Sequence, residues 1–117
     1  MNVPGRRAER LADQIRAEVA EMISAELTDP RIGFATVTRV EVSGDLHHAR
    51  MFVSVLGSPE VQQKSLEGLA SAMGFMRREI GQRLRLRRVP ELTFVLDHGP
   101  EQNERLEILL RKLKSEQ

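Results

Sequence analysis

A chain of 117 residues, 40% hydrophobic and 30% charged, has the balance of one globular domain spanning 1–117, able to close a core without covalent staples. It has no cysteine, which excludes disulfide frameworks, thiolate metal sites and cysteine nucleophiles and suits a reducing compartment. No apolar run nears the roughly 20 residues of a membrane span, and no apolar stretch follows the N-terminal arginines as a secretory signal requires, so a cytoplasmic protein without membrane contact is expected.

In residues 6–27 apolar side chains recur at Leu11, Ile15, Val19, Met22 and Ile23, one face of an amphipathic helix whose ordinary role is core packing. Asp29-Pro30 ends it, because a residue before proline is pushed out of helical geometry. Residues 34–43 are rich in Val and Thr and read as a strand. Their alternation is broken: Val40 and Val42 are in phase with Phe34 and Val37 is not, so a bulge or burial on both faces is expected. Ser43-Gly44-Asp45 is turn chemistry, and residues 47–56 alternate cleanly, with Ala49, Met51, Val53 and Val55 on one face. The two strands should form an antiparallel hairpin, buried on one side and wet on the other.

Ser58-Pro59 supplies an N-cap and a first-turn proline. The helix that follows should turn Val61, Leu66, Leu69, Ala70 and Met73 inward before it meets Gly74, and the apolar series resumes at Met76, Ile80 and Leu84. Glycine costs about 1 kcal/mol against alanine inside a helix, so Gly74 marks a kink or the meeting of two helices. Pro90 leads into a short alternating strand, residues 92–96. The last helix, residues 101–113, opens with Glu101 and Glu104, carries Leu106, Leu109, Leu110 and Leu113 on one face and closes with Arg111, Lys112 and Lys114, the charge order a helix dipole favours. The fold class is therefore α+β, in the order α-β-β-α-kink-α-β-α. The helical pair is long enough to cross over, so the third strand can run parallel to a hairpin strand in a sheet covered on one face.

Catalysis is not expected. His47 and His48 adjoin in a strand, point to opposite faces and cannot chelate one ion, Asp29 and Asp45 sit where turns are capped, and Asp97-His98 lacks a nucleophile. No metal, cofactor or Gly-rich phosphate loop is implied. With four Phe and no Trp or Tyr, an aromatic platform for stacking bases is not expected either.

Charge is the informative feature. The net +1 hides the stretch RREIGQRLRLRR, residues 77–88, which carries +5 and leaves −4 for the rest. Arginine supplies fifteen of eighteen basic residues, and its planar fork suits phosphate. A run so unbalanced is not an ordinary salt-bridged helix face, where both signs intersperse. Arg77, Arg78, Arg85, Arg87 and Arg88 are the candidate contacts to nucleic-acid phosphates, read by charge and shape more than by base identity. The alternative is a protein-interaction module, with the acidic flank Glu18, Glu21 and Glu26 and the basic flank of the third helix facing protein partners.

Several segments together carry a family resemblance: Asp29-Pro30-Arg31-Ile32-Gly33, TVTRVEVSGDLHHARMFVSVLG at 36–57, Ser71-Ala72-Met73-Gly74-Phe75-Met76-Arg77, and Leu84-Arg85-Leu86-Arg87-Arg88-Val89-Pro90-Glu91-Leu92 with Phe94 and Asp97. In this order and spacing the chain resembles bacterial ribosome-binding factor A over nearly its whole length. The resemblance implies a type II KH-like fold in which an Ala-x-Gly kink, matched by Ala72-Met73-Gly74, replaces the usual GxxG clamp between two helices. It also implies a monomeric, non-enzymatic factor that binds the free 30S subunit and 16S rRNA. The implied role is late small-subunit maturation, including rRNA processing at the 16S 5′ end, and growth in the cold.

Overall fold

The computed structural model describes residues 5–115; within the last helix, the side chains of residues 100–104, 106 and 107 lie outside what is described, and with them Glu101, Glu104 and Leu106. The elements are α1 (Arg6–Glu21) running into a π-helical turn (Met22–Glu26), β1 (Ala35–Val42), β2 (His48–Val55), α2 (Pro59–Ser71), α3 (Met73–Arg83), β3 (Glu91–Leu96) and α4 (Pro100–Ser115). The sheet order is β1-β2-β3, antiparallel between β1 and β2 and parallel between β2 and β3. This is the expected α+β arrangement, and the α2–α3 pair is the crossover that a parallel β3 requires.

The core lies between the sheet and its helices. Ile15, Val19 and Met22 from the first helical segment, Met51 and Val53 from β2, Leu69 from α2 and Met76 and Ile80 from α3 are buried together. In β1 the register shifts between Val37 and Arg39, so Ala35 and Val37 share the inner face with Val40 and Val42. Thr38 is the extra residue, and its hydroxyl donates to Asp97 Oδ2 at 2.6 Å, with the Phe52 carbonyl 3.2 Å away. The bulge also moves Phe34 off the inner series: it is 82% exposed at the mouth of the hairpin, where its carbonyl accepts from the Leu56 N–H.

Two helical faces differ from the apolar spacing. Ser58 caps α2 as expected, accepting from the Val61 N–H at 3.3 Å, but Val61 and Ala70 are exposed and Ser65, Gly68 and Leu69 are buried. The reason is the segment that precedes β1, which lies against α2. A Cβ on Gly68 would come within 2.7 Å of Ile32 Cγ1 and 3.3 Å of Arg31 Cβ, so only glycine admits this approach. The Ser65 hydroxyl accepts from the Gly33 N–H (3.0 Å) and donates to the Arg31 carbonyl (3.3 Å), which satisfies the buried serine. In α4, which runs to Ser115, Leu109, Leu110 and Leu113 are exposed rather than turned into the core.

The docked segment is locked by Asp29. Its carboxylate accepts from Arg31 Nε and Nη2 at 3.1 and 2.7 Å and from the Arg31 N–H at 2.9 Å, and Arg31 Nη2 also donates to Ser71 Oγ at the end of α2. The Arg31 hydrogen bonds hold Asp29 at a pKa of about 2, below the ordinary carboxylate value. A depressed carboxylate contributes stability above its unfolded pKa, roughly 4, and loses it as pH falls through the folded value. Thermal melting should therefore fall between about pH 4 and pH 2. Asp29→Asn, which keeps an acceptor for the backbone N–H, should melt lower at neutral pH and show a flatter acid limb; an unchanged acid limb would exclude this lock.

Candidate nucleic-acid interface

α2 and α3 meet at Ala72, whose φ of −85° and ψ of −2° end one helix and start the next without a side-chain cap. Gly74 lies one residue inside α3, and nothing comes within 4 Å of the position its Cβ would occupy. Its backbone is not left-handed, so neither strain nor crowding demands glycine there. The junction leaves a bare patch of helix surface beside Ser71 and the Arg31 guanidinium bound to it.

The six arginines of residues 77–88 divide into two sets. Arg83 is structural: Nη1 donates to Glu18 Oε2 at 3.1 Å, Nη2 to Glu26 Oε1 at 2.5 Å, and Nε and Nη2 to Glu79 Oε1 at 3.2 and 3.0 Å. These bonds raise the Arg83 pKa, with Glu26 the largest cause, and the same bond lowers that of Glu26. The π turn makes the cluster geometrically possible. Eight residues of α-helix, at about 100° each, would leave Glu26 roughly 80° around the axis from Glu18. A π turn closes i to i+5, advances less per residue and returns Glu26 to Glu18's side. The acidic flank of the first helix is thereby largely directed to an internal arginine, and of its three glutamates Glu21 alone makes no such bond.

Arg77, Arg78, Arg85, Arg87 and Arg88 are all exposed. Two local devices fold the segment after α3 back against it. Leu86 N–H donates to the Gly81 carbonyl at 2.9 Å and Arg85 N–H to that of Gln82 at 3.3 Å, a Schellman-type end in which Arg85, at φ 53°, occupies the left-handed position that glycine usually fills. Gly81 admits the returning chain, since a Cβ there would stand 2.9 Å from Val89 Cγ2. As a result Arg77 Nη2 donates to the Val89 carbonyl at 3.3 Å, and Arg88 Nη1 lies 3.4 Å from His47 Nε2. His47 in turn has Nδ1 3.6 Å from Asp45, whose pKa is lowered by hydrogen bonds from the Ser43 hydroxyl and the His47 N–H. Arg78, Arg85 and Arg87 have no hydrogen-bond or ion-pair partner among the described residues.

His47 could not be tied to the arginines from its position in the chain, since only the parallel pairing of β2 with β3 brings residue 47 beside residue 88. Phe75 was also missed, although its helical phase opposite Met76 and Ile80 would have marked it: it is 36% exposed in α3. The arginines of the open sheet face are otherwise engaged. Arg39 lies 4.0 Å over the Phe52 ring, Arg50 donates to Glu41 at 2.8 Å, and Phe52 is only 7% exposed beneath them. Among the described residues no group of three His, Asp or Glu side chains is placed to hold a metal ion, and no helix is long and apolar enough to cross a membrane. What the arrangement offers is a solvent-facing set of guanidinium groups, whose planar forks suit phosphates.

Comparison with known proteins agrees with the resemblance. The family model described as ribosome-binding factor A matches residues 7–110. The chain is similar to the crystal structure of ribosome-binding factor A from Thermus thermophilus, at 29% identity and a TM-score of 0.66 over 76% of this chain and 94% of that one. It is similar to a Thermotoga maritima protein described as a putative ribosome-binding factor A, at 38% identity and a TM-score of 0.71 over 86% and 96%. It also matches coordinates of the Thermus thermophilus factor fitted into a cryo-EM map of a 30S complex, at 29% identity and a TM-score of 0.64 over 76% and 92%.

The left-handed Arg85 separates charge from backbone cost. Arg85→Gly should raise stability by about 1 kcal/mol, because the conformation costs a residue with a Cβ roughly that much, whereas Arg85→Ala should not. Melting of the two variants checks this, and equal effects would mean the conformation is unstrained.

Proposed function

Because the chain belongs to the ribosome-binding factor A family, we propose that it binds the free 30S subunit through 16S rRNA. Arg77, Arg78, Arg85, Arg87 and Arg88 meet the phosphates, and the bare junction at Ala72 and Gly74 lets the RNA approach. The protein acts without catalysis or cofactor, as a cytoplasmic monomer and a single domain over 1–117. Its work is late small-subunit maturation, including processing of the 16S rRNA 5′ end and growth in the cold. The observation that carries this reading is the division of the arginine run. Arg83 satisfies three carboxylates, and the rest face solvent with Arg78, Arg85 and Arg87 unpaired among the described residues. A surface that concentrates cations without acids releases counterions when it meets a polyanion, and that release supplies affinity. The fitted Thermus thermophilus factor, described in a 30S complex, supports the choice of partner.

Changing Arg78, Arg85 and Arg87 together to Glu should nearly abolish co-sedimentation with purified 30S particles while leaving the fold intact. For a neutral triple variant the slope of log affinity against log salt should become shallower by about 2, at about 0.7 per phosphate contact for single strands. Unaltered 30S binding by the Glu variant would overturn the reading.

Gly74→Ala addresses the junction. With open space at the Cβ and no left-handed backbone, alanine should raise helix stability by up to about 1 kcal/mol. If the bare surface serves RNA approach, 30S binding should fall in the same variant. A variant that is both more stable and fully competent would remove the junction from the interface.

A further inference from the structure

On α3, Met76 and Ile80 are fully buried and Met73 rests on the core. At about 100° per residue the opposite side of the helix carries Phe75, Arg78 and Gln82, three and four residues apart on one ridge. Arg78 is exposed, as such a ridge requires, and Phe75 is exposed beside it. The ring is 36% exposed and stands outside the core cluster, and phenylalanine has no helix propensity that would favour it over a polar residue.

Isolated apolar residues are common on protein surfaces, so exposure alone assigns no role. The surroundings do. On one side Gly74 offers no side chain, and nothing stands within 4 Å of its absent Cβ, so this flank of Phe75 is open. On the ridge itself the neighbouring cation is Arg78, which has no partner among the described residues. The nearest acid on the helix, Glu79, accepts from Arg83, so its charge is compensated and does not repel a polyanion. Phe34, more exposed, differs in setting: it sits at the Leu56 end of the hairpin, opposite the end where His47 meets Arg88.

We propose that Phe75 stacks on an unpaired RNA base while Arg78 holds an adjacent phosphate, so that the arginine surface takes a single-stranded or bulged segment and not a continuous duplex. This deepens the functional reading above and rests on it. A duplex presents phosphates and 2′-hydroxyls but keeps its base faces covered, whereas an unpaired nucleotide offers a π-face and a phosphate together. Stacking is tolerant of base identity, so the ring selects strandedness more than sequence.

The chain has no tryptophan, so Phe75→Trp introduces a sole indole at the position in question. The full-length variant is titrated at low salt with an unstructured RNA oligonucleotide and with a duplex of equal length, binding being followed separately by anisotropy of labelled RNA. The single strand should quench the indole emission; the duplex should not, and Phe34→Trp should be quenched by neither. Phe75→Leu should weaken single-strand binding about tenfold, with the melting temperature and duplex binding unchanged. Binding without quenching, equal quenching by the duplex, or full single-strand affinity in Phe75→Leu would each overturn stacking and leave the arginine reading standing. Failure of wild-type protein to bind either RNA would overturn RNA recognition by this surface, and stacking with it.

Discussion

The azimuth of α3 is the constraint on which the rest of the molecule depends. Hydrophobic burial sets it first, because Met76 and Ile80 must both face the sheet and α1. Arg83 sets it again, by polar means, at the end of the helix. Its guanidinium reaches one carboxylate on α1, one on the π turn and one on α3 itself. All four side chains are about a quarter exposed, so solvent screens the cluster and its contribution lies in geometry more than in raw stability. Rotating α3 would break those bonds and expose two core residues at once. With the helix held so, Phe75 and Arg78 can only face outward.

A second constraint acts from the opposite side of α2. The segment 29–33 packs so closely that the helix must offer glycine at Gly68 and a hydroxyl at Ser65, and the Asp29–Arg31 pair fastens that segment to Ser71 beside the α2–α3 junction. Residues that carry the family resemblance, Asp29 through Gly33, are thus explained by packing and hydrogen bonding against α2. The left-handed Arg85 and the close approach of Val89 to Gly81 then return the chain toward α3, so that Arg87 and Arg88 join Arg77 in place of trailing away from it. The contacts that fix the helices at this junction also decide which arginines stay free.

Apolar spacing determined much of this protein by itself. The order of elements, the hairpin, the parallel third strand, the break between α2 and α3 and the Ser58 cap were legible because each rests on a local rule: a period, a proline or a capping hydroxyl. The broken alternation in β1 was legible as a bulge or two-sided burial, and the structure chose the bulge, which placed Phe34 outside the core. The concentration of arginine was visible too, because charge is counted along the chain.

Tertiary structure alone decided which of those charges remain available. The engagement of Arg83 depends on Glu18 and Glu26, far away in sequence and brought into line by a π turn that no local pattern announces. His47 reaches Arg88 only through the pairing of β2 with β3. The inner face of α2 departs from the hydrophobic pattern because a neighbouring segment approaches closely, and close approach selects small residues that a hydrophobicity pattern passes over. Periodicity reports the phase of one element against an unspecified core; it does not contain the identity of the partner, and for ion pairs and glycine contacts the partner is the whole of the physics.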